Sequence, residues 1–280
     1  MKRPAVFLLL LLIVAMIGSC SPGSAERPEY GKHFEAFGVE GSSLVYDLNA
    51  DATVYYNRTR CNERFIPAST FKILNALIAL ETGAIEDESE VIAWDGVDRG
   101  YDSWNQDHNL STAMEHSVVW FYQELARRIG RESMQHYVDA VGYGNQDISG
   151  EIDSFWLEGG LRISPEEQIG FLRRLYADDL PFSERSMRIV KEIITLEETG
   201  EYRLSGKVGW AQRVEPQVGW FVGYLEQNGN VYFFATNMES DEPGTVATTK
   251  APFRWREDFG ESRVEITKRI LRDMGLLQGK

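Results

Sequence analysis

A serine and a lysine three positions apart, Ser69 and Lys72, are the pair in this chain best suited to nucleophilic chemistry. On a helix they share one face a turn apart, which lets the lysine act on the serine hydroxyl. Pro67 and Ala68 precede them at the start of an apolar run (Phe71, Ile73, Leu74, Ala76, Leu77, Ile78, Ala79, Leu80), and Gly83 is placed to cap its end. Ser69 then falls in the first turn, where free N–H groups and the helix dipole favour developing negative charge. Lys72 is the one charge inside a helix that is apolar on every side, and such a helix is buried. A lysine there must be paired or made neutral by a depressed pKa. The tetrad alone carries little weight. Average Ser and Lys usage yields roughly one S-x-x-K per chain of this size by chance, and a lysine that snorkels to the surface would look the same.

Three further elements add weight. Ser117-Val118-Val119 stands at the head of a helical run, Tyr143-Gly144-Asn145 opens a long loop, and Lys207-Val208-Gly209-Trp210 opens the terminal strands. Each alone reads as a helix cap, a turn, or a strand residue facing water. Four accidents in this order and spacing are a poor account of the chain. Other hydrolytic chemistries lack their residues. His33, His108, His116 and His136 show no metal-ligand spacing, so no metal site is expected. No G-x-S-x-G element is present for a Ser–His–Asp esterase.

These residues need elements to hold them. Leu44 to Leu48 and Thr53 to Tyr56 are β-type runs about the turn 49–52, which predicts a hairpin. Helical patterns cover Ser69 to Glu81, Thr112 to Ile129, Ser133 to Val141, Pro165 to Asp178 and Glu184 to Glu197. Gly142 to Gly160 reads as a long ordered loop. Gln217 to Glu226 and Val231 to Met238 flank Asn228-Gly229, a strong hairpin signal, and Glu261 to Met274 reads as an amphipathic closing helix. Strands at both ends enclosing a helical insert predict an α/β chain of the α+β type. An antiparallel sheet flanked by helices joins a mainly helical lobe, with the site between the two.

The 280 residues carry a net charge of −14, which argues against nucleic acid as a partner. An anionic substrate must then be met by locally placed cations. Seven Trp, 14 Phe and 12 Tyr are the composition of a packed globule rather than a disordered chain. At the N-terminus Lys2 and Arg3 precede the apolar run Ala5 to Ile17, too short to span a bilayer but fitting a signal-peptide core. Ile17-Gly18-Ser19-Cys20 looks like a bacterial lipoprotein cleavage box with Cys20 as the lipidated residue; an ordinary signal peptide cut nearby is the alternative. Residues 1–19 are thus expected to be a signal peptide, 20–30 a lipidated N-terminus and tether, and 31–280 the catalytic domain. Within it the sheet lobe takes about 31–66 and 200–280, and the helical lobe about 67–199. With Cys20 lipidated, Cys61 has no partner, so no intramolecular disulfide is expected.

Longer stretches carry a resemblance. Pro67-Ala68-Ser69-Thr70-Phe71-Lys72-Ile73, Trp104-Asn105-Gln106-Asp107-His108, and the run from Phe155 through Trp156-Leu157-Glu158-Gly159-Gly160-Leu161-Arg162 to Ser164 resemble the class D serine β-lactamases, the oxacillinase family. The likeness extends over essentially the whole mature sequence. It implies a fold shared with penicillin-binding-protein transpeptidases and hydrolysis of β-lactam antibiotics, with Ser69 attacking the lactam carbonyl. It implies that Lys72 reacts with carbon dioxide and that its carbamate is the general base. That reaction needs a neutral amine, whereas a free lysine has a pKa of about 10.4. Phe71, Val119 and Trp156 are the expected apolar surroundings, and the Trp156 indole the expected donor to the carbamate. Ser117 would relay a proton to the departing nitrogen, and the N–H groups of Ser69 and Trp210 would form the oxyanion hole. Lys207 and Arg263 would hold the substrate carboxylate, beside Val208 and Gly209, while Tyr143 and Asn145 would shape the loop. Beyond carbon dioxide or bicarbonate no cofactor is implied. A monomer or weak dimer is expected, facing the periplasm of a bacterial cell envelope and touching the membrane only through the lipid anchor. Val208 departs from the Thr or Ser that the family usually carries there, which puts substrate affinity in question. A β-lactam sensor, acylated at the same serine without turnover, would carry the same motifs.

Overall fold

The computed structural model describes residues 23–240 and 253–277, with side chains described up to 240 and from 261. Among the described residues seven strands form one sheet: β1 (Ser24–Glu26), β2 (Glu40–Asp47), β3 (Ala52–Tyr56), β4 (Thr195–Glu198), β5 (Tyr202–Ala211), β6 (Gln217–Gln227) and β7 (Asn230–Ser240). Among the described residues the α-helices are α1 (Gly31–Glu35), α2 (Arg58–Cys61), α3 (Lys72–Thr82), α4 (Leu110–Glu115), α5 (Val119–Ile129), α6 (Arg131–Val141), α7 (Pro165–Tyr176), α8 (Glu184–Ile193) and α9 (Phe253–Asp273).

The sheet order is β1-β3-β2-β7-β6-β5-β4. Every neighbouring pair is antiparallel except β1 and β3. The expected hairpins are present. β2 and β3 pair from Asp47–Ala52 onward, and β6 and β7 close through Asn228 and Gly229, both at positive φ as a two-residue primed turn requires. One face of the sheet carries α9 and α1, with Phe34, Val45, Phe221, Phe234, Ile266 and Ile270 between them. The other face meets the helical part of the chain across the larger core, at whose centre α3 is buried throughout from Lys72 to Leu80. Ile73, Leu74, Leu77 and Ile78 are each wholly buried there, which stabilises the fold by about 1.5–3 kcal/mol per side chain relative to exposure. Gly83, left-handed at φ 71°, ends α3 as expected. Ser164, Pro165 and Glu167 start α7 with a complete capping box.

Four expectations are corrected. The helical pattern from Thr112 to Ile129 is two helices, not one. Ser117 stands at φ 54°, with its N–H on Met114 O at 3.2 Å and the Val118 N–H on Ala113 O at 2.9 Å. That is the two-bond helix stop in which a left-handed residue follows the cap. The pattern from Glu184 to Glu197 is helical only to Ile193, because Thr195–Glu198 pairs with the open edge of β5. Part of the 20–30 tether is not free: Ser24–Glu26 lies along Thr53–Tyr55, where the edge strand β3 offers unpaired backbone groups. The closing helix starts at Phe253 rather than Glu261. Cys20 and the signal-peptide core lie outside the described residues.

Candidate active site

Ser69 lies in a single 3-10 turn, Ala68–Phe71, that runs straight into α3. The turn is strained: Ala68 sits at φ 48°, in the left-handed region, at a cost of roughly 1–3 kcal/mol for a side-chain-bearing residue. It is pinned from two sides. The Ala68 N–H donates to Trp156 O at 3.0 Å, and the Trp220 indole donates to Ile66 O at 2.9 Å. Phe65 and Ile163 exchange backbone hydrogen bonds at 2.9 and 2.8 Å, tying the approach to Ser69 to the loop that carries Trp156.

Lys72 is fully buried. Its Nζ donates to Ser117 O at 2.5 Å and to Ser117 Oγ at 3.0 Å. The left-handed backbone at Ser117 turns both oxygens the same way, so the residue that stops α4 also receives the lysine. A second lysine reaches the same hydroxyl: Lys207 Nζ on β5 lies 3.0 Å from Ser117 Oγ. Burial, with the charge of Lys207 adding to it, holds the Lys72 amine well below the usual lysine range. Burial and then the Arg263 charge push Lys207 down to about 7. Burial brings Arg263 to about 10. The site gathers three basic side chains in a chain that is acidic overall, and their burial and mutual repulsion disfavour charge on the two lysines.

Alternation along β5 sorts the third motif. Lys207 and Gly209 face α3 and its leading turn, while Val208 and Trp210 pack toward α9. A Cβ on Gly209 would lie 3.0 Å from Pro67 O and 3.1 Å from Thr70 Cγ2. A bare backbone there is what lets β5 approach the Ser69 turn. Arg263, from α9, donates to Gly209 O at 2.5 Å, and its guanidinium lies 5.8 Å from the Trp210 ring. The Trp210 indole donates to Gln217 Oε1 at 2.9 Å.

Trp156 is wholly buried and stacks on Phe71 with ring centres 5.4 Å apart. Its Nε1 is a buried donor with no acceptor among the described residues. Val119 opens α5, half-buried against the main core. Tyr143 is buried edge-on to Phe71 at 5.7 Å. Gly144, at φ 57°, passes so close to Arg162 O that no side chain fits. Asn145 clamps the two ends of the loop together: its Nδ2 donates to Gly160 O at 2.9 Å and its Oδ1 accepts from Arg162 N at 2.8 Å. Tyr122 is a neighbour that sequence reasoning missed, its ring centre 5.3 Å from Lys72 Nζ. Its position three residues after Val119 on an amphipathic helix was the available signal. No cluster of His, Cys, Asp and Glu among the described residues could hold a metal ion.

The strained serine turn, the buried lysine and the cationic strand come from three separated stretches of chain. Comparison with known proteins places that combination. Residues 39–258 match the penicillin binding protein transpeptidase domain. β-Lactamase OXA-48 of Klebsiella pneumoniae is 46% identical over 232 residues, covering 82% of this chain and 88% of that protein. The crystal structure of the class D β-lactamase YbXI from Nostoc superposes with a TM-score of 0.81 at 47% identity, covering 89% of this chain and 99% of that one. The regulatory protein BlaR1 of Bacillus licheniformis is 38% identical over 223 residues, which is 79% of this chain and 37% of that longer protein. The chain belongs to the class D serine β-lactamases, within the penicillin-binding-protein transpeptidase domain family.

Proposed function

We propose that this chain hydrolyses β-lactam antibiotics through a covalent acyl-enzyme on Ser69, with a carbamate on Lys72 as the general base. The observation that carries the reading is Lys72 itself: fully buried, with no carboxylate paired with it among the described residues, and held well below the usual lysine range. The buried indole N–H of Trp156, which has no acceptor among the described residues, fits the placing of a new anion in this pocket. Carbon dioxide, added to the neutral amine, supplies a base able to take the proton first from Ser69 and later from water. Ser69 Oγ then bonds to the lactam carbonyl carbon while the backbone N–H groups of Ser69 and Trp210 stabilise the oxyanion. As the carbon–nitrogen bond breaks, Ser117 relays to the nitrogen the proton taken from Ser69 and so ends as a hydroxyl, while Lys207 and Arg263 hold the substrate carboxylate. Water then adds to the ester carbonyl carbon, the bond from that carbon to Ser69 Oγ breaks, and the proton taken from the water returns to Oγ, which restores the serine.

Incubation with a penicillin followed by mass spectrometry tests the assignment. Wild type gives an adduct on the Ser69 peptide and many turnovers, and Ser69→Ala gives neither. An adduct that persists in Ser69→Ala would reject it. The likeness to BlaR1 motivates a second reading, a sensor acylated but not turned over. Stoichiometric acylation of Ser69 with no further product would select that reading.

We also propose, from Lys2, Arg3, the apolar run to Ile17 and Cys20, that the chain is exported and lipid-anchored in a bacterial envelope. Cys20→Ser should release it from membranes or block processing. Recovery of wild type with an unmodified N-terminus in the soluble fraction would reject the anchor.

A further inference from the structure

Behind the nucleophile a buried hydrogen-bonded chain runs from α7 to the strained turn. Gln168, on α7 and 1% exposed, donates its amide Nε2 to Thr70 Oγ1 at 2.8 Å. Thr70 Oγ1 in turn donates to Pro67 O at 2.8 Å. A hydroxyl has a single proton. With the amide donating into it, that proton goes to Pro67 O, which also receives the Thr70 N–H at 3.2 Å, and the Tyr143 hydroxyl lies beside both Thr70 and Gln168. Gln168 and Thr70 are both closed to solvent, so water does not replace either link. The turn held this way is the one in which Ala68 stands at φ 48°. Its other side is held by Trp156 O. Pro67 O also faces β5, since a Cβ on Gly209 would lie 3.0 Å from it. The carbonyl gripped by Thr70 therefore sits between the nucleophile and the strand that carries Trp210.

We infer that Gln168 is a positioning residue for Ser69, fixing through Thr70 the Pro67–Ala68 turn and so the place of Ser69 relative to Lys72 and the Trp210 N–H. It touches neither substrate nor reacting atoms. The inference rests on the reading of Ser69 as the nucleophile. Misplacement by 1 Å costs up to about a hundredfold in rate. The loss falls on acylation rather than on substrate capture, because Lys207 and Arg263 are held by β5 and α9, which this chain of bonds does not grip.

Four variants test it, read by rapid-quench mass spectrometry with a penicillin to separate the acylation constant from the substrate dissociation constant. Gln168→Met keeps the length and removes the donor; Thr70→Val keeps the shape and removes the hydroxyl; Thr70→Ser keeps the hydroxyl. In Gln168→Met and in Thr70→Val acylation should fall about tenfold, with dissociation constants within about twofold of wild type. Thr70→Ser should acylate like wild type, and the double variant Gln168→Met with Thr70→Val should be no slower than Thr70→Val alone, since both break one chain. Acylation in Gln168→Met within about twofold of wild type, or a double variant showing the product of the two single losses, overturns the inference. Should Gln168→Met fail to fold, equal acylation in Thr70→Val and Thr70→Ser overturns it. Absence of any adduct on wild-type Ser69 would instead overturn the nucleophile reading.

Discussion

Lys72 and Lys207 share one oxygen: the Ser117 hydroxyl lies 3.0 Å from the Nζ of each. An oxygen that accepts from both lysines must send its own proton elsewhere, and in the proposed reaction the departing lactam nitrogen is the group that needs one. Two buried cations on a shared acceptor also disfavour each other's charge. Charging of Lys207 accordingly helps to keep Lys72 neutral. The substrate-holding cation and the residue that must stay uncharged are coupled through a single side chain.

The coupling predicts a bell-shaped pH profile of kcat/KM. On the acid side activity rises with pH, because the Lys72 amine must lose its proton and its pKa, though lowered by burial and Lys207, still sets that limb. On the alkaline side it falls above about 7, where Lys207 loses the charge that attracts the substrate carboxylate. Lys207→Arg keeps a permanent positive charge. It should abolish the alkaline limb and leave the acid limb, whatever its effect on the maximum. An alkaline limb unmoved by this substitution would assign it to another group.

Trp156→Phe keeps an aromatic ring beside Phe71 and removes the indole N–H, which has no acceptor among the described residues. A hydrogen bond to a charged group is worth about 1.5–3 kcal/mol, so the bicarbonate concentration giving half-maximal activity should rise about tenfold or more. Titration of bicarbonate into degassed enzyme measures it. An unchanged requirement would show that the indole does not hold the group on Lys72.

Gly209→Ala introduces a methyl 3.0 Å from Pro67 O, a backbone atom with little room to give. β5 and the Ser69 turn should be pushed apart, lowering acylation by about ten- to a hundredfold. Substrate affinity should change less. Pre-steady-state kinetics separate the two, and a variant that acylates at the wild-type rate would show that the close approach is not needed.

Val208→Thr replaces a methyl with a hydroxyl at nearly constant shape. Val208 is half-buried between Lys207 and Gly209, on the α9 side of the strand from which Arg263 reaches Gly209 O. A donor restored there should lower KM for penicillins by up to about tenfold while kcat changes less, the pattern of binding energy expressed equally in ground and transition states. Both constants on two penicillins decide it: an unchanged or higher KM would show that the missing hydroxyl does not limit capture.

The sequence by itself determined the elements whose signals are local. The S-x-x-K spacing and the apolar run placed Ser69 and Lys72 at the head of a buried helix, and Asn228-Gly229 placed the last hairpin, because turn chemistry and side-chain periodicity act over a few residues. Tertiary structure decided what depended on distant competitors. Ser117 breaks an otherwise continuous helical pattern because the backbone there closes a two-bond stop, which brings both its oxygens to Lys72. Thr195–Glu198 left the helix for the open edge of β5, where a longer-range ladder outbid helical hydrogen bonding. The lowered pKa values of Lys72 and Lys207, the ring of Tyr122 near the amine, and the need for a bare backbone at Gly209 follow from burial and close approach between segments far apart in sequence. Desolvation and packing sum over all neighbours in space, and only the folded chain says which neighbours those are.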